Sequence, residues 1–186
     1  GLGIVVLAVS ACTTVKNPTP TDPLEGFNRS MDSFNQVVDR VALKPAAQGY
    51  NAVVPEEIRG CVTNFFANLD DVASSLNNLL QLKPKQAFTD MCRVVINSTV
   101  GLLGLVDVAT QFGIERTNED FGQTLGYWGV GSGPYLVVPF LGPSTVRDLP
   151  ARFVDSQVDP LSNHEPVDER LVATAVDAVD TRARLI

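Results

Sequence analysis

Residues 54–84 read VPEEIRGCVTNFFANLDDVASSLNNLLQLKP, and the spacing of their apolar side chains sets the class of the whole chain. Ile58, Val62, Phe65, Leu69, Val72, Leu76 and Leu79 step by four and three, the period of an α-helix with one apolar face. Pro55 is suited to a helix start, and Glu56 and Glu57 suit the positive end of the helix dipole. Lys83-Pro84 breaks the run, because proline disfavours helical backbone in the residue before it. Off the stripe lie Asn64, Asn68, Asn77 and Asn78, and asparagine is a mediocre helix former. These amides read most simply as solvated surface; the alternative is a polar lining without net charge.

The pattern extends in both directions. Asp22-Pro23-Leu24-Glu25 has the acceptor, proline and acid of a helix start, and Leu24, Phe27, Met31, Phe34, Val38 and Val41 follow as a narrow stripe expected to end at Lys44-Pro45. Ala46 to Asn51 fits one further turn. Pro84 opens a third long helix through Phe88, Met91 and Val95. From Val94 to Ala109 the chain is apolar apart from Asp107 and a few small polar residues. Sixteen residues of helix reach about 24 Å, short of the roughly 30 Å hydrocarbon core, so this segment is not expected to span a bilayer. A buried core helix is one reading of it, and Gly101 and Gly104 would permit close packing in water or lipid. Asp168 to Ile186 carries a last stripe of Val172, Val176, Val179, Ala183 and Ile186, after an irregular stretch broken by Pro150, Pro160 and Pro166.

Phe121 to Asp148 is the exception to helical periodicity. Six glycines and three prolines fall in it, a density that predicts no helix. Tyr127, Trp128 and Val130 on one side of Gly131-Ser132-Gly133, and Pro134 and Tyr135 to Val138 on the other, predict a short hairpin or a flexible apolar loop with Gly129, Gly131 and Gly133 as its pivots. Gly129-Val-Gly-Ser-Gly133 lacks the Lys-Ser/Thr of a phosphate loop, so nucleotide binding is not expected.

Three segments are expected: the remainder of a secretory signal over 1–11, an acylated Cys12 with a polar tether over 12–21, and one helical domain over 22–186. Val9-Ser10-Ala11-Cys12 resembles a lipoprotein cleavage box. An acyl chain on Cys12 contributes roughly 0.8 kcal/mol per buried methylene, and several chains anchor stably to a membrane. Thr13, where many inner-membrane lipoproteins carry Asp, points by resemblance to the outer membrane. The net charge of −7 and a pI near 4.6 disfavour nucleic acid.

Chemistry is not expected. His164 is the sole histidine and stands in a polar loop, so no triad or zinc set forms around it. The acid pairs Glu56-Glu57, Asp70-Asp71 and Glu119-Asp120 read as solvated surface. Cys61 and Cys92 are favoured as buried free thiols. On straight antiparallel helices turning at Lys83-Pro84 they would be offset by roughly 16 Å, beyond the ~7 Å a disulfide tolerates. The expectation is a protein with no enzymatic activity, metal or cofactor.

Four stretches taken together resemble the MlaA (VacJ) family of outer-membrane phospholipid-transport lipoproteins: Asp22 to Arg29; Asn64 to Leu69 with Leu79 to Gln81; Ile96 to Asp107; and Phe121 to Asp148. The resemblance implies an all-α ring of amphipathic helices around a central channel, lying in the periplasmic leaflet of the outer membrane. Phospholipid misplaced in the outer leaflet would leave through it to a soluble periplasmic lipid carrier, beside an outer-membrane porin trimer. It further implies that Phe34 and Asn35 lie near a gating region, that the amide face with Asn64 and Asn68 lines the channel, and that a final C-terminal segment is missing here. Two rivals stand beside this reading: a porin-binding structural adaptor that carries no lipid, and a phospholipid hydrolase working through His164.

Overall fold

A computed structural model describes residues 22–186; Cys12 and the expected signal and tether lie outside them. The chain forms α1 (Glu25–Val38), a π turn (Asp39–Leu43), α2 (Lys44–Val53), α3 (Glu56–Leu80), α4 (Pro84–Thr99), α5 (Val108–Gln111), α6 (Phe121–Tyr127), β1 (Tyr135–Val138), β2 (Gly142–Thr145), α7 (Asp148–Val158) and α8 (Val167–Ala183). The helical class is as expected. The elements close on themselves: α1 continues into α2, α2 packs on α8, α8 on α3, α3 on α6, α6 on α7, α7 on β2, β2 pairs with β1, and β1 returns to α1. α4 lies outside that circuit as the antiparallel partner of α3.

Four sequence expectations about boundaries are corrected, each for a local reason. Lys44-Pro45 does not end the first helix. Proline has no N–H to give Val41, and the wider π turn absorbs the defect by letting the Lys44 amide reach the Asp39 carbonyl five residues back. Beyond Thr99 the apolar run leaves the helix, with Leu102, Leu103 and Gly104 at positive φ and the Gly104 amide turned back onto the Asn97 carbonyl at 2.8 Å. Gly104 is required there, since a Cβ would stand 2.8 Å from the Asn68 side chain. Residues 148–158 form a helix in spite of Pro150, which falls in its first turn, where an amide has no intrahelical partner. Residues 121–127 are also helical, capped at the N-terminus by the Asp120 carboxylate accepting from the Gln123 amide at 2.6 Å.

The hairpin is present but turns elsewhere than expected. β1 and β2 pair antiparallel about Pro139-Phe140-Leu141, with Tyr135 opposite Thr145 and Val138 opposite Gly142. Gly131-Ser132-Gly133 lies before the first strand. The free edge of β1 is closed by two side chains of α1 spaced seven residues apart. Asn28 donates to the Tyr135 carbonyl (3.1 Å) and accepts from the Val137 amide (2.8 Å). Asn35 donates to the Val138 carbonyl (3.0 Å) and accepts from the Phe140 amide (2.8 Å). Each amide thus substitutes for a residue of a third strand. Phe34 adds an edge-to-face contact with Phe140, centroids 5.2 Å apart.

Replacing Asn35 with Leu removes both bonds and leaves the Phe140 amide and Val138 carbonyl without their partner. The expected cost is about 1–3 kcal/mol, local to the hairpin. Amide hydrogen exchange at Phe140 should accelerate at least tenfold while α4 amides keep their protection; unchanged exchange at Phe140 would contradict the assignment.

Candidate functional site

Burial runs opposite to the rule for a water-soluble domain. Among the described residues, seven apolar side chains are buried, five of them alanines, against fifteen polar or charged ones. Large apolar side chains stand exposed along the helices: Val37, Val53, Ile58, Leu79, Phe88, Met91, Phe153 and Leu171, joined by Leu102 and Leu103 of the turn after α4. Exposed leucines are ordinary; a polar interior of this extent is not. The solvated-surface reading of the α3 amides is therefore corrected for Asn68, Asn77 and Asn78, all buried. Each is hydrogen-bonded, to Ser98, Asp155 and Asp90 among others.

The α3–α4 seam holds the most costly of these groups. Arg93, 2% exposed, donates to Asp71 (3.2 Å), to Asp107 (3.0 Å) and to the Thr110 hydroxyl (3.0 Å). Arg116 reaches the other oxygen of Asp71 at 2.7 Å. One turn along, the fully buried Asp90 accepts from Ser74 and Asn78, both at 2.9 Å, and from Thr117. Asp71 is thus no surface acid, and the expectation for it is corrected; Asp70 beside it is exposed. Burial would raise the Asp107 carboxyl, but the Thr110 hydroxyl and amide, Arg93 and Asn97 outweigh it and hold it at about 2. Nearer the end of α3, Asn77 and the Phe121 amide both donate to Asp155, and Gln81 and Lys83 donate to Glu119, fixing α6 and α7 to α3.

Between the members of the ring lie four polar cavities that share walls. One of about 440 Å³ is bounded by Asp32, Asn35, Gln36, Asp39, Arg40, Lys44, Gly142, Pro143 and Arg182. It shares Asp32 with a second under α1, which shares Tyr135 with a third against the hairpin and α7, which shares Asp120 and Asp155 with a fourth beside Asp70 and Glu119. The run crosses from α1 to α3 with polar side chains on its walls throughout.

The expected site residues divide among three places. Asn35 and Tyr135 stand on this run of cavities, with Phe34 beside them on the hairpin tip. Asn64 and Asn68 instead tie α3 to the turn after α4, donating to the Leu105 carbonyl (3.2 Å) and the Ser98 hydroxyl (3.0 Å). Tyr127 and Trp128 are exposed at the end of α6, with the Trp128 ring N–H on the Leu80 carbonyl at 3.2 Å. Gly129 and Gly133 take positive φ, and the loop is pinned at Val130, where the backbone carbonyl accepts from Arg147, and at Ser132 and Pro134, whose carbonyls accept from the Arg147 and Val146 amides. Cys61 and Cys92 are free, as expected, though half-buried rather than buried. His164 is exposed and bonded to Glu169 at 2.9 Å. No group of three metal-ligating side chains is present among the described residues.

Residues 20–186 match the family model described as MlaA lipoprotein. The chain belongs to the MlaA lipoprotein family. A relative from Haemophilus influenzae, named intermembrane phospholipid transport system lipoprotein MlaA, is 39% identical over 167 residues, 88% of this chain and 67% of its own length. A Shigella flexneri relative of the same name is 34% identical over 189 residues, 75% of its length. Against a protein of Rickettsia bellii the identity is 35%, and the chain spans 65% of that relative's length. A solved structure from work on the structural basis for maintenance of bacterial outer membrane lipid asymmetry superposes with a TM-score of 0.78 at 36% identity, covering 88% of this chain and 84% of that one. No helix among the described residues is long and apolar enough to cross a membrane.

The polar cavities also carry a titration signature. Although part of the Asp70 side chain meets solvent, its carboxyl is crowded by protein, and loss of water around it raises it to about 6, with Arg116 opposing and Asp177, Asp159 and Asp71 adding to the rise. A folded value above the unfolded one means the native state gains a proton more readily, so Asp70 opposes folding at neutral pH and ceases to do so as pH falls through 6 towards 4. Asp70→Asn should therefore raise the melting temperature at pH 7.5, with the advantage gone by pH 4. An equal offset at both pH values would show that its charge is not the cause.

Proposed function

We propose that this chain forms a polar-walled passage in the periplasmic leaflet of the outer membrane, anchored through Cys12, through which mislocalised phospholipid leaves the outer leaflet. The observation that carries this reading is the inverted burial. An exterior presenting leucine, valine and phenylalanine is stable against acyl chains, and the polar walls of the four linked cavities suit a headgroup that must stay solvated. The two faces together fit an amphipathic cargo. The movement breaks no bond, so the passage needs no catalytic group, and lipid flows down its own gradient to a soluble periplasmic carrier. A porin trimer beside the ring fits an outer surface apolar on several helices. The Gly129–Pro134 loop and the hairpin pinned by Asn35 form the part able to move without disturbing the α3–α4 seam.

The full-length lipoprotein, extracted in mild detergent and analysed by native mass spectrometry, is expected to carry phospholipid. A deletion strain is expected to accumulate phospholipid in its outer leaflet, with restoration by the intact gene. Absence of bound phospholipid together with an unchanged outer leaflet would leave a porin-binding adaptor as the better account. Lysophospholipid production lost on His164→Ala would instead identify a hydrolase.

A further inference from the structure

The cavity walled by the π turn, the hairpin and α8 differs from its neighbours in charge. Arg40, Lys44 and Arg182 face Asp32 and Asp39 there, three cations against two acids. The cavity beside Asp70 holds four acids and no base, and the other two hold more acids than bases. In a chain of net charge −7, a cationic surplus at one point of an acidic run of cavities is a specific local feature.

The charges in it are unequally committed. Arg182 grips Asp39 with two parallel bonds of 2.6 and 3.0 Å, so those two neutralise each other. Asp32 accepts from Gln36 at 2.7 Å. Arg40 and Lys44 are exposed and form no salt bridge to a described residue, although Lys44 lies near enough to Asp39 to favour its charged form, second to Arg182. A guanidinium fork and an ammonium one helical turn apart, over about 440 Å³ of open space, match the two free oxygens of a phosphodiester. Val37 and Val41 flank Arg40 in the chain and are 56% and 72% exposed, which sets apolar surface directly beside the donors.

We propose that this cavity is a binding subsite for the phosphodiester of a glycerophospholipid headgroup, held by Arg40 and Lys44 while the acyl chains start along Val37 and Val41. The subsite rests on the reading of the ring as a phospholipid passage. It explains how an acidic protein can hold an anionic or zwitterionic headgroup at one point and pass it on elsewhere.

The test is calorimetric titration of the detergent-solubilised full-length lipoprotein with dihexanoyl phosphatidylglycerol, and separately with inorganic phosphate, alongside native mass spectrometry of co-purified lipid. Arg40→Gln with Lys44→Gln should weaken dihexanoyl phosphatidylglycerol at least tenfold and strip co-purified phospholipid. The charge-keeping pair Arg40→Lys with Lys44→Arg should retain most binding, and Lys85→Gln, an exposed charge on α4, should change nothing. Melting curves confirm that each variant is folded. Equal lipid binding by the Gln pair and the wild type would overturn the subsite while leaving the passage standing. Phospholipid absent from the wild type would overturn both. Saturation by inorganic phosphate without binding of the lipid would overturn the headgroup assignment.

Discussion

A guanidinium removed from water is held in place by the carboxylates around it, and Arg93 between Asp71 and Asp107 is the point on which this fold depends. Among the described residues the seven buried apolar side chains, mostly alanines, supply little of the driving force that closes an ordinary domain. The α3–α4 pair is joined instead by charges and amides. A buried ion pair is weak as a source of stability and costly to break, because a lost partner leaves a charge with neither water nor counter-ion. Complete pairing is therefore required. The second oxygen of Asp71 is met by Arg116, and Asp90 by Ser74, Asn78 and Thr117, so the charges of the seam are all matched; the atoms left without a partner there are the neutral amide oxygens of Asn68 and Asn78.

From that rigid pair the rest is hung. α3 contacts α4, α6, α7 and α8, and the polar residues of its last turns secure the loop that leads into the hairpin. α1 and α2 close the far side, clasped to α8 by Arg182 on Asp39. A ring built in this way keeps its shape through hydrogen bonds between neighbouring elements and leaves its outer wall free to be apolar. The apolar exterior follows from how the molecule is held together.

The helices were legible in the sequence from their stripes, and the family from four motifs. What the stripes concealed was a second periodicity. Asn68, Asp71, Ser75 and Asn78 step by three and four just as the apolar residues do, and Asp90, Arg93 and Asn97 continue it on the next helix. The buried face was the polar one. Reading apolar residues as inward is sound in water, and the same spacing gives no sign of which solvent is outside. Asp107 carried a signal of its own, a lone charge in an apolar run, where a buried partner is to be expected. Boundaries failed where a proline was tolerated, at Pro45 by a wider turn and at Pro150 by its place in a first turn. The role of Asn35 as a pin on the hairpin, and the clasp of Arg182 on Asp39 that closes the cavity beside Arg40 and Lys44, depend on contacts more than a hundred residues apart and leave no local trace.

The two asparagines on the hairpin have a consequence for how the molecule lives among neighbours. A strand margin left open is a template on which another polypeptide can lie down. Asn28 and Asn35 occupy that margin with groups that end there and propagate nothing further. Another chain thus meets a closed margin along β1, and that edge of the hairpin offers it no ladder to extend.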